Sequence, residues 1–201
     1  MAKVKKGNLS GKMGDVIHSS YLGRPYVRQK PEKVENPRTE AQQAHRTALV
    51  AIARLASDLK EAHKLGLHMH AQRNKLTTDS DFRKLNKRCC VRGAISYPDV
   101  EISKGSVENV SITSVDLDEQ HVLHVTFGSN ATDTNKKDKL GLFVYCPELR
   151  KCQALKPVFR TTGEVIEQLP EEFKGHELHL YGFLQGKKLY TSNTMYAAIA
   201  K

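Results

Sequence analysis

The clearest pattern of apolar positions in the chain runs from Glu40 to about Leu65 and has helical spacing. Apolar residues recur there in steps of three and four, so they share one stripe of an α-helix. The stripe comprises Ala48, Ile52, Leu55, Leu59, Ala62 and Leu65, and Leu49 and Ala56 widen it. The pattern therefore predicts one long amphipathic helix that buries one side in a core or an oligomer seam.

The residues at both ends of this stripe support the helix. The Thr39 hydroxyl can accept a backbone N–H as the N-cap, and Gln42 three residues later completes a capping box. Gly66 is a natural C-terminal stop. A second, short helix is predicted farther on, with Asp79 or Ser80 as its cap.

Beyond Gly93 the period changes from helical to alternating, which is typical of strands. Val100 and Ile102 precede a Lys-Gly-Ser turn, and residues 140–146 are apolar on both sides, as expected of a central strand. The segments on either side of Gln185-Gly186 indicate a closing hairpin. About seven short strands at this spacing predict an antiparallel β-sandwich, with immunoglobulin- or fibronectin-like topology favoured over a closed barrel.

The segment before the helix has a different character. Pro25, Pro31 and Pro37 each fix a φ angle, so residues 24–36 should be extended or irregular. The apolar residues upstream also favour a pair of short strands around Leu22 to Arg24. The predicted fold class is α+β, with an extended basic arm at residues 1–38, a helical segment at 39–93 and a β-sandwich at 94–201.

The net charge of +10 is unevenly distributed along the chain. Residues 1–93 contain 20 Lys or Arg against 8 Asp or Glu, which leaves 12 against 14 for residues 94–201. Such asymmetry indicates a polyanionic partner, most simply DNA or RNA, although a basic surface also serves solubility. The candidate nucleic-acid-binding residues are Lys3, Lys5, Lys6, Lys12, Arg24, Arg28, Lys30, Arg83, Lys84, Lys87, Arg88 and Arg92.

Four residues around the predicted arm are candidates for contacts that hold a subunit or a domain together. Tyr21 and Tyr26 alternate with arginines, so their rings could stack on bases or anchor the arm to its own fold or to a sister chain. Pro37 and Thr39 form the junction between the arm and the helix. These four positions are the candidate assembly contacts.

No pattern of catalytic or metal-binding residues stands out in the sequence. His68 and His70 form an H-x-H that could ligate a metal with Cys89 or Cys90, but no C-x-x-C or H-E-x-x-H supports such a site. The histidine pairs of the β half lack a nucleophile elbow. We therefore expect a protein that is not an enzyme and has no metal or cofactor. We also expect reduced cysteines, no membrane span and a cytoplasmic location.

Several stretches resemble an uncharacterised protein family found in Bacteroidota and their mobile elements. These are GKMGDVIHSSYLGRPYVRQKP, VENPRTEAQQAHR, SYPDVEISKGSV and LYGFLQGKKLYTSNTMY. The resemblance implies a glycine-rich arm, an NPRT-x-AQ helix start and a fibronectin-like β domain in this order. It implies no activity.

Together these observations favour a non-enzymatic structural or interaction protein, self-assembling and in contact with nucleic acid through its basic half. By architectural analogy it resembles virion components, so a virion location is the alternative to the cytoplasm. The alternative function is a recognition module whose β-sandwich loops bind a protein or a glycan.

Overall fold

The computed structural model describes residues 3–5, 8–32 and 38–199, with the backbone alone at 3–5 and 8. The chain forms two compact units, Met1–Gln42 and Gln43–Lys201.

The first unit contains a four-stranded antiparallel sheet in which each strand pairs with the next one along the chain. Its strands are β1 (Lys3–Lys5), β2 (Asn8–Met13), β3 (Val16–Tyr21) and β4 (Arg24–Gln29). Leu22 and Gly23 join β3 to β4 with φ angles of 49° and 79°, the left-handed conformation that a two-residue hairpin turn requires. The pair of strands predicted around Leu22 to Arg24 is confirmed.

Residues 24–29 are extended, as predicted, but they are part of a sheet rather than a free arm. They form a ladder with β3 from Val16↔Gln29 to Tyr21↔Arg24. Pro25 fits there because a strand tolerates its fixed φ angle where its missing N–H is not needed by a neighbour. An arm reaching across another subunit would therefore have to begin after Gln29.

Four helices follow, namely α1 (Glu40–Asp58), α2 (Lys60–Gly66), α3 (His68–Arg73) and α4 (Thr78–Asn86). The N-cap is confirmed, because the backbone N–H of Gln42 donates to the Thr39 hydroxyl at 3.3 Å. The single helix predicted to end near Leu65 is interrupted at Leu59, where ψ changes to 23°. The cap of α4 is Thr77, which accepts from the Ser80 N–H at 3.2 Å, rather than Asp79 or Ser80.

The rest of the second unit is mostly antiparallel sheet. A two-residue hairpin joins β5 (Cys90–Val91) to β6 (Ala94–Ile95). Two larger sheets contain the strands β7 (Ser111–Leu117), β8 (Val122–Gly128), β9 (Lys139–Cys146), β10 (Lys151–Ala154), β11 (Val158–Phe159), β12 (Glu164–Gln168), β13 (Leu178–Gln185) and β14 (Met195–Ile199). One of them has the order β12-β8-β7, and the other has the order β10-β9-β13-β14 with β11 also paired to β9.

Strand β9 is buried on both faces, as its sequence predicts. Leu142 and Val144 lie in a core shared by the two larger sheets. Phe143 and Tyr145 lie in a second core, formed with residues of the helices such as Leu55. The second unit is thus layered as helices, five-stranded sheet and three-stranded sheet, which is the mixed α+β class.

The connector between β13 and β14, residues 186–194, forms hydrogen bonds with two other segments, the end of α2 and the loop at residues 102–103. The Thr191 hydroxyl donates to the Gly66 carbonyl at 2.9 Å. The Thr194 hydroxyl accepts from the N–H groups of Ile102 and Ser103 at 2.8 and 2.9 Å. Val100 and Ile102 are therefore buried in a loop held by side-chain hydrogen bonds, and the strand predicted there is not formed.

Gly66 is the last residue of α2, and close packing rather than a left-handed cap requires glycine there. A Cβ placed on Gly66 would lie 2.4 Å from the Ile102 carbonyl oxygen and 2.7 Å from the Ser103 Cβ. We predict that Gly66→Ala lowers the free energy of unfolding by at least about 2 kcal/mol, since backbone must move to admit the methyl group. Chemical denaturation measures the change.

The matched control is Gly128→Ala at the end of β8, where the nearest atom to an added Cβ is 3.9 Å away. That variant should unfold within about 1 kcal/mol of the parent protein. Equal effects of the two substitutions would contradict the packing role assigned to Gly66.

Candidate nucleic-acid interface

The register of the N-terminal sheet places cationic and aromatic side chains together on one face. Directly paired residues of an antiparallel ladder project from the same face, and successive residues alternate. The pairs Lys12↔Ile17, Ile17↔Arg28, Ser19↔Tyr26 and Tyr21↔Arg24 therefore share one face. We call this the cationic face, and its candidate binding residues are Lys12, Tyr21, Arg24, Tyr26 and Arg28.

The side chains of the cationic face are open to solvent. Tyr21 and Tyr26 are 48% and 46% exposed. Arg24, Tyr26 and Arg28 follow one another at every second position of β4, so the tyrosine lies between two guanidinium groups. Cations alternating with aromatic rings can contact phosphates and stack on bases of a single strand.

The opposite face of the same sheet is largely apolar, although His18, Ser20 and Gln29 also lie on it. The pairs Met13↔Val16 and His18↔Val27 define it. Met13 is 52% exposed and Val27 is 58% exposed. None of the side chains described between residues 9 and 32 is buried, so this apolar face has no core of its own to join.

The other residues of the N-terminal half that were candidates for nucleic-acid or assembly contacts lie in several different places. Lys3 and Lys5 belong to β1, where the backbone register pairs them with Ser10 and Asn8. Lys30 follows β4, and its N–H donates to the Asp15 carbonyl at 2.7 Å. Lys6 and Pro37 lie outside the described residues. Thr39 acts as the helix cap.

The second unit carries a separate basic site beside α4. Arg83 and Lys84 lie on the helix, Lys87 and Arg88 follow its end, and all four side chains are exposed. Arg92 is farther along, in the turn between β5 and β6 with a φ angle of 51°. A cavity of about 560 Å³, here called the α4 cavity, is lined by Lys84, Leu85, Lys87, Arg88, Cys89, Asp99, Glu101 and Lys104.

A buried asparagine fixes the loop that forms one wall of the α4 cavity. Asn86 Nδ2 donates to the Glu101 carbonyl at 2.8 Å, and the Glu101 N–H donates to Asn86 Oδ1 at 2.7 Å. Sequence reasoning missed Asn86, Asp99, Glu101 and Lys104 because the loop meets α4 only through the fold. The short separation of Asn86 from Glu101 was the available signal, although it does not identify a hydrogen bond.

Cys89 in the wall of the α4 cavity is not an activated thiol. Burial raises its pKa to about 11, and the neighbouring Cys90 thiol acts in the same direction. The thiol is therefore protonated and uncharged at neutral pH, which favours a packing role over a nucleophilic one. All four cysteines are free, and Cys89, Cys90 and Cys146 are buried.

The histidines considered as possible metal ligands, His68 and His70, lie in different surroundings. His70 Nδ1 lies 2.6 Å from the buried Asp81 carboxylate and 3.1 Å from the Asn74 amide nitrogen. His68 is exposed. Throughout the part of the chain that is described, no group of three or more His, Cys, Asp or Glu residues could hold a metal ion.

The histidines of the β half take part in local contacts. His179 Nδ1 lies 2.9 Å from the Tyr196 hydroxyl, and its ring stacks on Tyr97 with centroids 4.2 Å apart. Desolvation lowers the pKa of His179. His176 lies 2.6 Å from the Glu148 carboxylate. These contacts join neighbouring segments of the sheet layer.

Burial of His63 in the helical layer makes stability depend on pH. Desolvation lowers its pKa, and it outweighs the hydrogen bond from Nε2 to the Ala56 carbonyl and the attraction of Asp79. Below about pH 6.5 the unfolded chain therefore binds a proton at His63 more readily than the folded chain does. The protonation of His63 therefore does not reduce the free energy of unfolding well above that pH, and the free energy decreases as the pH falls below it.

We predict that His63→Gln flattens this dependence, because glutamine can donate to Ala56 without titrating. The decrease in unfolding free energy from pH 7 to pH 5 should become shallower by up to about 1.4 kcal/mol per pH unit, as measured by urea denaturation. His45→Gln, at an exposed position of α1, is the control and should keep the parent slope. Equal slopes of unfolding free energy against pH for all three proteins would contradict the assignment of the pH dependence to His63.

Comparison with known proteins places the chain in a family without assigning an activity. Residues 7–198 match the family of unknown function DUF6266, and the chain belongs to that family. No curated protein and no solved structure matches the chain. Among the helices of the described ranges, none has the length and apolar character needed to cross a membrane.

Proposed function

We propose that this member of a family of unknown function is a non-enzymatic structural protein that self-assembles and contacts nucleic acid through its N-terminal half. The observation that carries the proposal is the cationic face, where Lys12, Arg24 and Arg28 share one side of a sheet with Tyr21 and Tyr26. A random distribution of these residues over both faces would give no continuous surface.

The charges of this face are available to a ligand. Lys12, Arg24 and Arg28 form no ion pair among the residues that the structure describes. Binding a phosphate there would release counterions without breaking an internal salt bridge. The two tyrosines supply rings that stack on bases without regard to sequence. The face therefore suits a single strand bound with little sequence preference.

Self-assembly is supported by the apolar face on the other side of the same sheet. A small sheet is stable in water only when one face packs against something else. Met13, Val16 and Val27 provide such a face, and a second copy of the chain presents an identical one for face-to-face packing. The nucleic-acid contacts would then lie on the two outer surfaces of the paired sheets.

We also propose a type of β-sandwich, an origin and a location for the protein. We assign the two larger sheets to an immunoglobulin- or fibronectin-like sandwich, because three and five antiparallel strands share one core. We assign the protein to Bacteroidota mobile elements from the resemblance, and to the cytoplasm from its cysteines, with the virion as the alternative by architectural analogy.

A second candidate function is a recognition module that binds a protein or a glycan at one end of the two larger sheets. A cavity of about 400 Å³ there includes Leu117, His121, Phe173, Leu178 and Ile199 in its wall. Its size is within the range of ligand pockets. In this alternative the N-terminal sheet only braces the fold.

We predict that removing two charges from the cationic face weakens nucleic-acid binding and its dependence on salt. For Arg24→Ala/Arg28→Ala, the slope of log K against log salt for a single-stranded oligonucleotide should become shallower by about 1.4. Fluorescence anisotropy from 50 to 300 mM salt measures it, with the full chain as reference.

The control removes two exposed lysines from the second unit. Lys156→Ala/Lys174→Ala lowers the net charge equally but leaves the cationic face intact, so its slope should stay closer to that of the parent protein. If the full chain binds neither DNA nor RNA at low salt, the nucleic-acid part of the proposal is wrong.

We predict that charging the apolar face disrupts assembly. Met13→Lys/Val27→Lys places two ammonium groups where two copies would pack, and like charges facing one another oppose association. Light scattering should report a smaller mass for this variant than for the parent protein. The control Lys12→Met/Arg28→Val alters the cationic face and should assemble as the parent does; a monomeric parent protein would contradict self-assembly.

A further inference from the structure

The cationic wall of the α4 cavity is suited to a phosphate group. Lys84, Lys87 and Arg88 are spaced three and four residues apart across the end of α4, so their side chains share one side of it. None of the three forms an ion pair among the described residues. Ammonium and guanidinium groups are the usual protein partners of phosphate.

The other wall contains two carboxylates, which a phosphate would avoid. Asp99 Oδ2 accepts from the Ser96 hydroxyl at 2.5 Å, and Glu101 Oε2 accepts from Lys104 Nζ at 3.2 Å. Asp99 Oδ1 and Glu101 Oε1 have no protein donor among the described residues. Because an ionised carboxylate only accepts hydrogen bonds, these free oxygens can accept from the hydroxyl or amino groups of a ligand in place of water.

We propose that the α4 cavity binds a ribonucleotide unit, which makes RNA the preferred nucleic acid of this protein. Lys84, Lys87 and Arg88 hold the phosphate, and Asp99 and Glu101 are the acceptors available to the ribose 2′-hydroxyl. The volume of about 560 Å³ is within the range of small-molecule pockets. DNA lacks the 2′-hydroxyl, which is the group that distinguishes the two sugars.

The geometry of the two walls is fixed before a ligand arrives. Asn86 bonds to both the carbonyl and the N–H of Glu101, and it also donates to the Phe82 carbonyl at 2.9 Å within α4. The carboxylate wall is therefore held at a set position relative to the cationic wall. This inference rests on the proposed contact with nucleic acid and adds the kind of sugar to it.

The test compares two oligonucleotides that differ only in the sugar. The full chain is titrated with fluorescently labelled dodecamers of uridine and of 2′-deoxyuridine at 100 mM salt. The ribose oligomer should bind about two- to tenfold more tightly, the range expected for one net hydrogen bond. Equal affinities would overturn the inference and leave the proposed function standing, whereas no binding of either oligomer at low salt would contradict the proposed function itself.

Substitutions in the α4 cavity test whether the preference for the ribose oligomer arises there. Asp99→Ala/Glu101→Ala should bring the ratio of the two affinities to about one without weakening the deoxyribose oligomer, since the acceptors for the 2′-hydroxyl are lost and the cationic wall is left intact. Lys84→Ala/Lys87→Ala should weaken both oligomers. Glu119→Ala/Glu164→Ala removes two exposed carboxylates elsewhere and should keep the ribose preference; a preference unchanged in the Asp99/Glu101 variant would overturn the assignment.

Discussion

Strands β9 and β13 must bury apolar side chains on both faces at once, and the arrangement of the second unit follows from this constraint. One face is covered by the three-stranded sheet, through contacts such as Val144 with the shared core. The other face presents Phe143, Tyr181 and Phe183 and needs a second cover, which the helices provide. A sheet with aromatic side chains on its outer face cannot remain open to water without a large loss of hydrophobic stabilisation. The helical layer is therefore a requirement of the sheet.

Much of this fold could be predicted from the sequence because local chemistry agreed with the final packing. Residues 140–146 are apolar on both sides, which predicts a central strand. Thr39 and Gln42 predict the start of α1. The errors arose where distant residues decide the outcome. Val100 and Ile102 have the spacing of a strand, yet their loop is held by the hydroxyl of Thr194 about 90 residues later.

Prediction of the candidate sites from the sequence is limited in the same way, because residues far apart in the chain decide which side chains meet. Composition identified the basic half of the chain, but the separation of cations from apolar residues on the N-terminal sheet depends on register, which one-dimensional spacing does not specify. The pairing of Tyr21 with Arg24 spans a two-residue turn and agrees with the pair of strands that the sequence predicts around Leu22 to Arg24. Nothing in the sequence predicts the contact made by the carboxylates of the α4 cavity, since Asp99 and Glu101 join the basic cluster only when the loop folds back onto Asn86.

The connector between β13 and β14 has a consequence for the timing of folding during synthesis. It bonds Thr191 to Gly66 across 125 residues and Thr194 to Ile102 across 92 residues. A ribosome releases the chain from the N-terminus, so the helices emerge long before the segment that fastens them, whereas the N-terminal hairpins can pair at once. The chain therefore spends most of its synthesis with the aromatic strands and the helices unable to complete their shared core. Any assembly or ligand contact made by the first 42 residues can precede the completion of the rest of the molecule.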